Sequence, residues 1–275
     1  MSERFDFAAD LAAGVRDKDS AWTFIRRFAE AWMAPLGDGD GYTAEELNAV
    51  EQRLGRKLPA ALREAYMLFG KRADLCGTLH FLQPPDELRV DEDSGLLLYQ
   101  HENQGVWERY IRVADLDMDD PPTVQSSDCD HDEHQGGIAW TERLSTACIE
   151  MMLVESACLD GAREMHGELL ENEIADVERK FTPLALPPLP IGHMECAPAS
   201  RWYVGEDVIV SLDRFHSIPD EYEHLSGPWH RPWSRAGLRI HGRTPEAINV
   251  MRETLPREWF HWEWPRLGDP YPPKP

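Results

Sequence analysis

With 275 residues, 42% of them hydrophobic and ten of them tryptophans, the chain holds enough material for one large domain or two modest ones and is not a disordered polymer. Fifty acidic residues against 28 basic ones give a formal net charge of -22. Such a surface repels nucleic acid and anionic membranes, which require clustered Lys and Arg, and attracts a basic partner.

An acidic proteome produces the same balance without any partner. No apolar run approaches the ~18 residues of a membrane span. Five cysteines with no CxxC pair point to reduced thiols rather than a disulfide framework. MSERFDFAAD has no basic segment followed by an apolar one. The expectation is a cytoplasmic protein with neither nucleic acid nor membrane as partner.

Along the chain, DSAWTFIRRFAEAWM (19–33) places Trp22, Ile25, Phe28, Ala29 and Trp32 at helical spacing, with Asp19 or Ser20 as the cap. After GDGDG, TAEELNAVEQRLG opens with Thr43 and Glu46 in capping-box spacing and stops at Gly55. Pro59 then starts PAALREAYMLFG, so two short helices meet at an LP corner. Strand signals follow in TLHFL (78–82), LLLYQ (96–100), VWERYIRV (106–113) and GIAW (137–140). A long helix is predicted from about 144 to 180, apolar all round in its first half and rich in Glu in its second. PLALPPLP (183–190) reads as a linker. Beyond it, RWYVGEDVIVSLD suggests two strands around Gly205-Glu206-Asp207, GLRIHG a third, and TPEAINVMRETL a helix capped by Thr244.

Few stretches carry chemistry. GDGDGYTAEEL fails as a calcium loop, because setting Gly41 sixth puts Leu36 first and Leu47 twelfth, and neither binds calcium. DCDHDEH (128–134) offers Cys129, His131 and His134, but a tetrahedral zinc site needs a distant fourth ligand, and the stretch reads as a solvated acidic loop. His101-Glu102 lacks the second histidine of a zinc-protease helix, and no GxSxG, GxxxxGK or GxGxxG occurs. Cys148 and Cys158 fall in an apolar helix, where thiols are inert. His241, alone in a strand, reads as structural. No catalytic residue, metal or cofactor is therefore assigned. The polar block in YQHENQGVW reads as a hairpin connection whose side chains sit at a sheet rim.

The run LNAVEQRLGRKLPAALREAYMLFG, with Glu51, Leu54-Gly55, Leu58-Pro59, Tyr66 and Gly70, is followed by LQPPDEL, LLLYQHENQGVW, DMDDPPTV and LSTACIEMMLVESACL. In this order they resemble the SUKH superfamily of cell-wall-assembly-regulator-like and bacterial immunity proteins over about residues 42–158. The resemblance implies an α+β domain, helices packed on a largely antiparallel sheet, and a non-enzymatic role in neutralising a cognate protein toxin. The expected layout is an N-terminal helical segment (1–41), the SUKH-like domain (42–182), a βββα extension or small second domain (191–258) and an aromatic, proline-rich tail (259–275).

The first expectation for function is an intracellular immunity-type protein that binds a basic toxin, opposite charge accelerating encounter. A scaffold or regulator of the same fold is the alternative, and a metal-dependent enzyme built on 128–134 the third. Expected partner-binding residues are Tyr99, Glu102, Gln104 and Trp107 at the hairpin, with Asp117, Asp119, Asp120, Asp128, Asp130, Asp132 and Glu133 from an interval that lacks Lys and Arg. The acidic positions are expected to cluster near the 101–104 turn.

Overall fold

A computed structural model describes residues 6, 9–10, 16–127, 137–156, 163–169, 171–186, 200–214 and 236–255. The chain is an α+β protein with two antiparallel sheets.

Helix α1 (Lys18–Trp32) is capped by Asp17, two residues before the nearer expected cap, because the Asp17 side chain accepts from the Ser20 N–H. Its apolar stripe buries Trp22, Ile25, Phe28 and Trp32 in the main core. The N-terminal helix is thus built into the larger unit, and Lys18 and the Trp22 indole both bond Glu64 of the third helix. In α2 (Ala44–Leu54) the Thr43–Glu46 capping box forms as its spacing predicts, and Gly55 ends the helix in the left-handed region at φ 63°. Helix α3 (Ala60–Phe69) follows Pro59. Between them, the buried Glu51 carboxylate accepts from the Leu58 N–H at 3.1 Å and from Lys57 Nζ at 2.8 Å, and so holds the LP corner closed. A short helix α4 (Ala73–Cys76) leads into the first sheet.

That sheet runs β1 (His80–Leu82), β3 (Leu96–Glu102), β4 (Trp107–Arg112), β5 (Thr123–Ser127), β6 (Ile138–Thr141), with β2 (Val90–Asp91) paired to β3. Helix α5 (Leu144–Glu155) packs across it and is buried almost throughout. The Asp120 carboxylate caps its first turn through Ser145 N and Oγ. At its far end the Glu155 carboxylate accepts from the N–H groups of Thr78, Leu79 and His80. Leu97, Tyr99 and Ile111 face the helices in one core.

The long helix expected over 144–180 does not form. It stops at Glu155, and Glu164–Leu169 is a strand, β7, paired with β11 (Ala236–Gly242). In EMHGEL, Met165 and Leu169 turn to the second core and Glu164 and His166 to the opposite face. That period of two, with Gly167 inside it, outweighs the helix preference of the glutamates. Helix α6 (Glu171–Lys180), β8 (Thr182–Pro183), β9 (Ser200–Gly205), β10 (Val208–Arg214), β11 and α7 (Pro245–Thr254) complete the second unit, in sheet order β7-β11-β10-β9-β8. The sheets therefore divide before Glu164 and not at the proline stretch, and the C-terminal unit is βαββββα rather than βββα. Helices α6 and α7 cover one face of the second sheet around Ile174, Val177, Val210, Ile240 and Ile248. The other face contributes Trp202 and Ile209 to the first core. The tail 259–275 lies outside the described residues, as do Cys129, Cys158 and Cys196.

Candidate functional site: a polar cleft between the sheets

Two β-bulges set up the site. Strand β3 pairs Leu98 with Tyr110 but Gln100 with Arg109, so Tyr99 is an extra residue. Strand β6 pairs Thr141 with Thr123 but Ala139 with Val124, so Trp140 is extra. A bulge breaks the alternation of side chains and re-aims one of them. Here the first brings Gln100 onto the face covered by α5, and the second brings Trp140 over Arg109 on the same face.

Arg109 is the centre of this arrangement. It lies on the same face as Ile111, is 2% exposed, and its Nη1 meets Glu150 Oε2 at 2.7 Å and Gln100 Oε1 at 3.2 Å. Its Nε donates to Gln125 Oε1 at 3.2 Å. The guanidinium lies between two indoles, 4.2 Å from the Trp107 ring centroid and 4.0 Å from that of Trp140. Planar, permanently charged and weakly hydrated, arginine is the cation suited to such a sandwich.

The second sheet supplies the opposing wall. Because Met165, Tyr203, Val210, Leu212, Leu238 and Ile240 point into its own core, their neighbours Glu164, Trp202, Ser211, Asp213, Arg239 and His241 point the other way. The two walls enclose a cleft of about 350 Å³. Its carboxylates are Glu102, Glu150, Glu164 and Asp213, and its guanidiniums Arg109 and Arg239.

Burial dominates the titration of the histidines. His241 is pushed down to about 4 by burial, against the pull of Glu164, whose Oε1 lies 3.8 Å from His241 Nδ1. His80 is held well below the ordinary imidazole value by burial, then by Arg109 and Arg239. Burial alone would raise the Glu164 carboxyl, but His166 at 2.7 Å, His241 and Arg239 bring it below its usual value. Both cleft histidines are therefore neutral at pH 7.

Four residues that line this cleft each carry a fully buried ring nitrogen with no hydrogen-bond partner among the described residues: His80 Nδ1, Trp140 Nε1, Trp202 Nε1 and His241 Nδ1. Buried polar groups are nearly always paired, so four orphans around one cavity are unusual.

The expected partner-binding residues divide. Tyr99 is buried in the core rather than at a rim, since strand β3 continues past it to Glu102 and both sides of it are packed. Glu102 is also buried. It accepts from Gln104 N and Val106 N, which fastens the hairpin turn where Gly105 takes φ 73°, and it lines the cleft. Gln104 is exposed at that turn. Trp107 is half-buried against Arg109 and lines the cleft. Asp117 and Asp119 are exposed, and Asp120 is the helix cap already described. Asp128, Asp130, Asp132 and Glu133, with the DCDHDEH stretch, lie outside the described residues. The expected cluster near the 101–104 turn is not formed by Asp117, Asp119 and Asp120. Strand β4 leaves the hairpin at Trp107, so the loop after Arg112 sits at the opposite end of the sheet.

Sequence reasoning missed Arg109, Glu150, Trp140, Trp202 and the place of His241. One signal was there: an arginine in register with Ile111 on the inward face of its strand, and a glutamate midway along a largely apolar helix, are a charge pair waiting to be matched. Compared with protein-family models, curated proteins and solved structures, the chain finds no match in any of the three.

Proposed function

We propose that the chain is a cytoplasmic binding protein of the immunity type, which captures and neutralises a basic protein toxin and performs no catalysis. The proposal rests on the resemblance to the SUKH superfamily and on the surplus of acidic residues that gives a net charge of -22. An α+β architecture with helices packed on an antiparallel sheet is consistent with it.

The observation that carries it is the loop between β4 and β5. Met118 is 47% exposed there, flanked by the exposed Asp117 and Asp119. The loop is anchored on both sides. Leu116 is buried beneath it, the Asp119 carbonyl accepts from the Ala61 N–H at 2.8 Å, and Asp120 caps α5. An apolar contact held inside a fixed acidic frame suits a basic partner, with charge setting the encounter rate and the apolar contact the lifetime.

The test is a pull-down with the product of the neighbouring gene, followed by binding kinetics at low and high salt. Replacing Asp117 and Asp119 by Lys, with Asp120 left in place, should slow association and flatten its salt dependence. Met118→Ala should act on dissociation. Unchanged rates in the double variant at both ionic strengths would remove this loop as the docking surface.

A further inference from the structure

We propose that the cleft between the sheets binds a small organic cation through its primary ammonium or guanidinium group, at a site independent of the acidic loop at the other end of the first sheet. The volume, about 350 Å³, lies at the small end of the range for ligand pockets. Its walls set the carboxylates of Glu102, Glu150, Glu164 and Asp213 against the guanidiniums of Arg109 and Arg239, an excess of two negative charges. His80 and His241 do not offset it, since burial keeps both rings neutral at pH 7. Walls of one prevailing sign focus their field into the cavity between them.

The acceptors in this cavity are desolvated and unfilled. Glu150 is 5% exposed and gives Oε2 to Arg109, while its Oε1 meets no donor among the described residues. Glu102, 8% exposed, takes both of its N–H partners on Oε2 and leaves Oε1 unpaired among them. The Ser211 hydroxyl, on a residue only 4% exposed, has no hydrogen bond among the described residues either. Unlike the four ring nitrogens, these three oxygens are not sealed off, and each keeps accessible surface on a residue that lines the cleft. Acceptor-only oxygens call for N–H donors, and a charged donor makes the stronger bond. The carboxylates and histidines do not converge in threes on a point where one metal ion could sit, so the matching charge belongs on an organic group. One such group is already held by these walls: Arg109, on Glu150 and between the Trp107 and Trp140 rings. Arg239 is exposed, so its head can turn to solvent when a second cation enters.

The full chain should be titrated by calorimetry and tryptophan fluorescence with agmatine and putrescine, and with 1,4-butanediol and succinate as neutral and anionic counterparts of the same length. A short peptide with one internal arginine forms a further arm. Agmatine or putrescine should bind saturably, and less tightly as salt rises, while butanediol and succinate should not bind. Asp213→Asn and Glu164→Gln, at partly exposed positions, should each weaken binding about tenfold. Ser211→Ala should weaken it less and leave the melting temperature in place, because no hydrogen bond within the protein is lost. Arg239→Met removes an opposing charge at an exposed position and should tighten binding, the reverse of its effect on an anion site. The proposal is overturned if neither amine binds, if butanediol or succinate binds as tightly, if both carboxylate variants bind like the parent, or if Arg239→Met fails to tighten binding. Binding of the peptide alone would also overturn it, by making the cleft a seat for a partner's side chain and not for a small molecule.

Discussion

Removing the Glu150 carboxylate strips the counter-charge from an arginine that is 2% exposed. The guanidinium cannot shed its proton, so Glu150→Ala must bury a bare cation. At an effective dielectric of about 20 and a charge separation of about 4 Å, the lost attraction is roughly 4 kcal/mol. Breaking buried pairs costs about 3–5 kcal/mol, which agrees. Gln100, Gln125 and the two indole faces remain as dipoles and quadrupoles around Arg109, and they soften the loss without supplying a charge. We expect Glu150→Ala to lose about 3–5 kcal/mol and Glu150→Gln, which keeps an acceptor, roughly half of that. The double variant Arg109→Met with Glu150→Leu removes both desolvated charges and should recover to within about 1–2 kcal/mol of the parent. Urea denaturation followed by tryptophan fluorescence gives all three values and closes a double-mutant cycle. A loss below about 1 kcal/mol for Glu150→Ala, or a double variant as unstable as the two singles added, would refute a desolvated pair at this position.

Other outcomes follow from the same contacts. Leu62 is fully buried where α2 and α3 meet, so Leu62→Ala should cost about 2–5 kcal/mol in denaturant melts. A change under about 0.5 kcal/mol, the size typical of surface substitutions, would misplace the helix pair. For Glu51, burial alone would raise the carboxyl, but Lys57, the Leu58 N–H and Arg63 bring it below its usual value. Its stabilisation is therefore present above the unfolded carboxyl value and is lost as pH falls through the lower folded one, and Glu51→Gln should flatten acid melts in that window. His241 runs the other way in charge but the same way in pH. Its folded value of about 4 lies below the ordinary 6.5, so the neutral ring's contribution is intact above 6.5 and falls by about 3 kcal/mol on going down to 4. His241→Gln should remove that slope, and an unchanged pH profile would place the ring in solvent.

Much of the first unit was legible. The Thr43–Glu46 box, the Gly55 stop, the LP corner and the strands around 80, 96, 107 and 138 rest on local rules, because caps, turns and alternation act over a few residues. Thr244 capping α7 and the Glu206–Asp207 turn follow the same logic, with Asp207 at φ 54°. What was lost depends on distant pairing. Strand β5 hides in TVQSS behind two prolines and has little apolar pattern of its own. The cleft eluded a period-of-two reading because both bulges insert one residue, at Tyr99 and Trp140, and so change which side chains face inward without any compositional mark. The polar face of the second sheet was invisible for a further reason: while 164–169 is taken for helix, Glu164 and His166 cannot be placed beside Arg239 and His241.

The pairing of β7 with β11 also bears on how the chain is made. Ala236 bonds opposite Leu169, and His241 opposite Glu164, so a strand near the middle of the sequence waits for one close to its end. During synthesis α5 can settle on the first sheet as soon as Glu155 has emerged, since every partner of that carboxylate lies upstream. EMHGEL has no such partner until the ribosome has passed 242. In that interval its local preference is the helical one that its glutamates suggest, and Met165 and Leu169 have no sheet to bury them. The second unit is therefore the late and slow one, governed by a long-range contact. The cleft, which needs both walls, comes into being only with the last strand.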